Sequence, residues 1–252
     1  MARGKSVCVY GAKGGVGKTT FILSLAGILS KLDKKVLIID LDLSSGAIAC
    51  SLNREVKSTI YNFSDDYNNN RYNDIEKYIT VYDKNISFIS APKDPRQANK
   101  IDIKNIDILI DKCIYMYDVI LIDTTHTLNE VNVYALDKAD KVLFMTTNDL
   151  LSLKNLKNVI NIFNDNEINK YKIILNNSLF PYNNFFSNYD IKNILGHNVD
   201  YVISSSFNVS KLDKLVLDGD LITYKYTKFK DLKVFNLIAS DILGGLKWVN
   251  HY

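Results

Sequence analysis

The chain reads as a doubly wound α/β protein: a mainly parallel sheet with helices on both faces. Three observations predict this. Short apolar runs recur along the 252 residues without alternating with polar ones, as strands buried on both faces do. Amphipathic helical patterns lie between those runs. A glycine-rich segment joins the first run to the first helical pattern, the strand–loop–helix order of an anion-binding turn.

Taken in order, Val7-Cys8-Val9-Tyr10 is the first strand and residues 18 to 32 are the first helix. Further strands are expected at Val36 to Ile39, Ile86 to Ile89, Val119 to Ile122, Val142 to Met145 and Ile173 to Leu175. Residues 103 to 116 set Ile103, Ile106, Ile110 and Ile114 three and four apart, a helical stripe. Asn148 or Asp149 can cap a helix with Leu153, Leu156, Ile160 and Phe163 on one face. Residues 229 to 247 repeat the pattern with Leu232, Phe235, Ala239, Ile242 and Leu246. Residues 62 to 74, with Asn68-Asn69-Asn70 at their centre, are the most polar part and read as a surface loop. Pro181 to Ser187 reads as another. With no linker and no repeat, a single domain is expected over residues 1–252, residues 1–4 being a leader or linker.

The apolar fraction of 47% is enough for a sizeable core. A net charge of +3 and a pI near 8.5 are too mild to argue for nucleic acid by themselves. Cys8, Cys50 and Cys113 are far apart, with no CxxC, which argues against a disulfide scaffold or zinc site and fits a reducing cytoplasm. Cys8 reads as a buried structural thiol. His126, His197 and His251 form no metal-spaced cluster. No run approaches 18 apolar residues, so the expected location is cytoplasmic or at most a membrane or cell-pole surface.

The glycine segment is Gly11-Ala12-Lys13-Gly14-Gly15-Val16-Gly17-Lys18-Thr19-Thr20. Its glycines let backbone N–H groups turn toward a phosphate, and the helix behind adds its positive end. Lys18 can reach the β- and γ-phosphates of a nucleotide, and the Thr19 hydroxyl can hold Mg²⁺. Ligands of a doubly wound sheet bind beyond the carboxyl ends of its strands. Two strands end there in carboxylates: Asp40-Leu41-Asp42, and Val119 to Ile122 followed by Asp123. Asp123 has the Walker B form and can hold the metal opposite Thr19. Asp40 is either a metal-supporting group or a turn cap.

Ala12 stands where a strict P-loop has glycine, and a second lysine, Lys13, lies beside the glycine pair. This box resembles the deviant Walker A motif, K-G-G-x-G-K-[ST]-T, of the ParA/MinD superfamily of ATPases. The resemblance implies a P-loop NTPase fold, ATP and Mg²⁺ as ligands, and slow ATP hydrolysis. It assigns phosphate binding to Lys13, Gly14, Gly15, Val16, Gly17, Lys18, Thr19 and Thr20, and metal binding to Thr19, Asp40 and Asp123. Lys13, Lys18 and Asp42 are its catalytic set, with Asp42 positioning the attacking water. It further implies an ATP-dependent homodimer in which Lys13 reaches the phosphates of the other subunit. Asn176 is the expected adenine contact, with the adjacent Asn177 as the alternative. A guanine-reading [NT]-K-x-D is lacking: Ser210-Lys211-Leu212-Asp213 is the nearest match, and the same tetrapeptide recurs at Ser30-Lys31-Leu32-Asp33. Asp123-Thr124-Thr125-His126 resembles switch II, with Thr125 where many relatives carry Pro. His126 is open to a phosphate or a partner, but a lone loop histidine is ordinarily without a role.

The segments Tyr117 to Glu130, Ala135 to Asp140 and Asn148 to Asn155, with Asp40 to Gly46, look closest to the CpaE/TadZ branch. That branch helps assemble Tad-type pilus secretion machinery, which implies protein components of a polar or secretion assembly as partners. Its usual receiver-like domain is not expected here. A MinD-like membrane-associated division-site regulator is one alternative. The tail Leu243 to Tyr252 would be its carrier, though glycines break it and few basic residues accompany it. A ParA-like DNA partitioner is another, with Lys225, Lys228, Lys230 and Lys233 as its suggestive cations. Reductase or arsenic-pump relatives would need paired cysteines near the nucleotide.

Overall fold

The computed structural model describes residues 2–179, 185–207, 212–225 and 232–245. Eight strands form one sheet: β1 (Lys5–Tyr10), β2 (Val36–Asp40), β3 (Thr80–Val81), β4 (Ile86–Ile89), β5 (Val119–Asp123), β6 (Lys141–Thr146), β7 (Tyr171–Asn176) and β8 (Tyr201–Ile203). Their order is β3-β4-β2-β5-β1-β6-β7-β8, and only β3 runs antiparallel to its neighbour. The helices are α1 (Lys18–Lys31), α2 (Ile48–Ser51), α3 (Ile60–Asn68), α4 (Ile103–Cys113), α5 (Glu130–Lys138), α6 (Leu150–Asp165), α7 (Asn188–Leu195), α8 (Leu212–Asp218), α9 (Ile222–Lys225) and α10 (Leu232–Ile242).

Successive strand residues point to opposite faces, and that alternation builds two cores. Cys8 and Tyr10 of β1 face a layer containing α3 to α7, while Val7 and Val9 face α1, α2, α9 and α10. Both faces are covered, so the strands are apolar throughout, as their runs predict. Every expected strand is present, and Cys8 is fully buried. The edges β3 and β8 have two and three residues, too few to show a period in sequence.

The polar stretch 62 to 74 is not a loop throughout. Residues up to Asn68 belong to α3. Its start is fastened by Asn62 Oδ1, which accepts from Thr59 N at 2.9 Å and the Thr59 hydroxyl at 3.0 Å. Phe63 is wholly buried, its ring within 6 Å of those of Tyr67, Tyr72 and Tyr78. Ile60, Phe63, Ser64 and Tyr67 make one face, and the many Asn and Asp residues occupy the other. The expected helix at 103–116 ends at Cys113, and that at 229–247 spans Leu232–Ile242 among the described residues. Leu246 to Tyr252, Lys228, Lys230, Ser210, Lys211, His251 and Pro181 to Asn184 lie outside those residues. No helix among the described residues is long and apolar enough to cross a membrane.

Candidate functional site

β1, β2 and β5 are adjacent, so their carboxyl ends meet at one point. Asp40 and Asp123 are register partners, as are Val9 and Asp123. The glycine loop leaves β1 there and runs into α1. Gly15 and Gly17 adopt φ of 75° and 91°, a region that glycine enters without strain. Gly17 also admits its neighbour: a Cβ on it would lie 2.7 Å from Asn176 Nδ2. Lys18, Thr19 and Thr20 form the first turn of α1.

Thr19 donates its hydroxyl to Asp123 Oδ2 at 2.6 Å. The other oxygen, Asp123 Oδ1, is buried without a hydrogen-bond partner. Asp40 is fully buried and accepts from Asp42 N and Ile48 N, both at 3.2 Å. Its carboxyl is approached so closely that a Cβ on Gly46 would lie 2.7 Å from Asp40 Oδ2.

The charges here are strained by burial. Desolvation, and then repulsion by Asp123, push Asp40 well above the usual carboxylate range. Desolvation also pushes Asp123 up to about 6, against the pull of Thr19 and Lys18. Lys18 is held below the usual lysine value by burial, with Asp123 and Asp42 opposing the shift. A divalent cation fits this set, because it would engage the orphaned oxygen and relieve the carboxylate repulsion. No group of three or more His, Cys, Asp or Glu side chains among the described residues could hold a metal. A cation here would therefore take its remaining ligands from phosphate and water, as Mg²⁺ does in nucleotide sites.

Lys13 forms an ion pair with Asp149 of its own chain, Nζ to Oδ1 at 3.0 Å. Asp149 also caps α6, accepting from Ser152 N at 3.0 Å, and takes the Thr147 hydroxyl at 2.6 Å. Of the two caps proposed for this helix, Asp149 performs the task; Asn148 bonds Phe186 instead.

Asn176 turns its amide onto the loop: Nδ2 donates to Val16 O at 2.9 Å, and Oδ1 accepts from the Ser178 hydroxyl at 2.6 Å. Asn177 Oδ1 is buried with no partner. Asn176→Ala is expected to destabilise the nucleotide-free protein by about 1–3 kcal/mol, since Val16 O and Ser178 lose their partner. Urea unfolding checks this; unchanged stability would rule out the bracing role.

Sequence reasoning missed Gly46, Asn132 and Asp149 as parts of this region. Gly46 stood in a stretch noted for resemblance only, Asp149 was read as a helix cap but not as a partner of Lys13, and Asn132 has no spacing that marks it.

Residues 4–180 match the AAA domain family (AAA_31). The chain belongs to that family, and is a P-loop ATPase of the ParA/MinD superfamily. It is 31% identical over 157 residues to the septum site-determining protein MinD of Helicobacter pylori, a match covering 62% of this chain and 58% of that protein. Its fold is that of a ParA family ATPase from Chlorobium tepidum, with a TM-score of 0.82 at 21% identity, covering 94% of this chain and 99% of the other. The fold is also that of the septum site-determining protein MinD complexed with Mg-ADP from Pyrococcus horikoshii. There the TM-score is 0.78 at 20% identity, over 94% of this chain and 95% of that one.

Proposed function

We propose that this chain binds ATP with Mg²⁺ in the P-loop site, dimerises around it, and hydrolyses it slowly to reset a spatial positioning switch. The meeting of Thr19, Asp40 and the half-satisfied Asp123 at the foot of the glycine loop carries this reading. Gly14 to Gly17 offer backbone N–H groups to the phosphates, with Lys18 supplying charge and Thr19 and Thr20 opening the helix behind them. Thr19, Asp40 and Asp123 would hold Mg²⁺, which supplies charge neutralisation to the phosphates. Asp42, half-buried and bonded through its backbone N–H to Asp40, orients the attacking water. Asn177 offers its unpartnered oxygen to the adenine amine, while Asn176 braces the loop.

Lys13 rests on Asp149 in a single chain. In a dimer the same side chain exchanges that carboxylate for the phosphates of the partner, and its charge then lies where negative charge develops. Site assembly and subunit association become one event.

The cargo is read from two directions. The named relatives support division-site placement, the MinD-like reading. Assembly of pilus or secretion machinery, the CpaE/TadZ reading, rests on the resemblance of residues 117–155. It draws no support from those relatives, so we place it second. A DNA surface has less: Lys225 is paired with Asp220, and Lys228 and Lys230 lie outside the described residues.

Light scattering of Asp42→Ala with and without ATP tests the switch. Slowed hydrolysis should leave a dimer with ATP and a monomer without it. A monomer in both conditions removes the dimer from the proposal.

A further inference from the structure

The segment following Asp123 is tied down at four points. Thr124 donates its hydroxyl to Val9 O at 2.7 Å. Tyr10, its ring buried in the core, donates its hydroxyl to His126 O at 3.0 Å. Asn132, with no exposed surface, donates Nδ2 to Thr125 Oγ1 and to Thr127 O, both at 2.6 Å. The backbone is therefore held on both sides of His126 and at its own carbonyl.

These ties set the imidazole against the glycine loop. A Cβ built on Gly14 would lie 3.7 Å from His126 Nδ1 and 3.9 Å from Cγ and Cε1, which is van der Waals contact. The residue is otherwise exposed, so the rest of the ring is not taken up by packing. Nothing in the core requires histidine here, because the tie to Tyr10 uses only the backbone carbonyl.

We propose that His126 is an additional phosphate-binding residue, its ring N–H donating to a phosphate oxygen of ATP held over Gly14. This rests on the nucleotide reading above. A bond from that N–H to an anionic phosphate is charge-assisted, and such bonds are about twice as strong as neutral ones.

Calorimetric ATP affinity, measured for the unchanged protein, His126→Ala and His126→Gln, tests this. The unchanged protein should bind ATP roughly three- to tenfold more tightly than the alanine variant, with the glutamine variant, which keeps an N–H donor, recovering part of the difference. An alanine variant that binds ATP as tightly as the unchanged protein overturns the proposal, and so does a glutamine variant that binds no more tightly than alanine. If the unchanged protein binds no ATP, the nucleotide reading itself fails and takes this inference with it.

Discussion

Lys18→Ala is expected to weaken ATP binding by about 10²–10⁴-fold, because two charge-assisted contacts to phosphate are each worth about 1.5–3 kcal/mol. The lysine is well placed for this. It opens α1 directly after Gly17, and burial makes its ammonium seek compensating negative charge. Asp42 and Asp123 supply part of it, and a triphosphate would supply the rest. Titration with a fluorescent ATP analogue measures the effect. Affinity unchanged in a folded variant would refute the assignment of the loop.

Asp123→Asn should separate stability from activity. Folding raises the pKa of Asp123 from the ordinary carboxylate value to about 6, so the folded chain holds a proton there more tightly than the unfolded one. The sign follows directly. Its contribution is most favourable below the unfolded pKa, and stability declines as pH rises through the interval between about 4 and 6. Above about 6 the full penalty of a buried, repelled carboxylate is present. Asp40, also raised, adds to the slope in the same direction. Asparagine keeps an oxygen for the Thr19 hydroxyl and removes the charge. At about pH 7.5 the nucleotide-free variant should therefore be more stable by about 1–3 kcal/mol, with a flatter pH dependence. Hydrolysis of ATP should fall by about 10²–10³-fold through loss of the metal carboxylate. Urea unfolding without nucleotide and phosphate release with it are the two measurements. A variant less stable than its parent at neutral pH would contradict the account of Asp123 as strained.

Such strain is what a site holding a doubly charged ion is built from. Asp40 and Asp123 end neighbouring strands in register, which places two carboxylates side by side in a dry region. Ile48 N and Asp42 N bind the Asp40 carboxylate. Asp123 keeps one oxygen free of any partner. Folding leaves this deficit standing, and a cation would remove it.

Much of this was legible before the fold was known. The loop, the strands and the strand-end carboxylates are local patterns, because unbroken apolar runs and glycine spacing are set by neighbours in the chain. Other parts were not legible. Counting polar residues hid α3, whose apolar face depends on where Phe63 and Tyr67 fall around a turn. Asn176 makes a bond that no local pattern announces: its amide spans 160 positions to reach Val16 O. No periodicity reports a contact of that kind.

The sequence by itself determined the class of fold and the chemical groups available at the P-loop, since both follow from local spacing along the chain. Only the tertiary structure decided how those groups are engaged. It seated Lys13 on Asp149, left Asp123 half-satisfied beside Asp40, and laid His126 against Gly14. Each of these pairings joins segments brought together by strand order and helix packing. Charge, burial and hydrogen bonding there depend on distances in space, which no stretch of sequence contains.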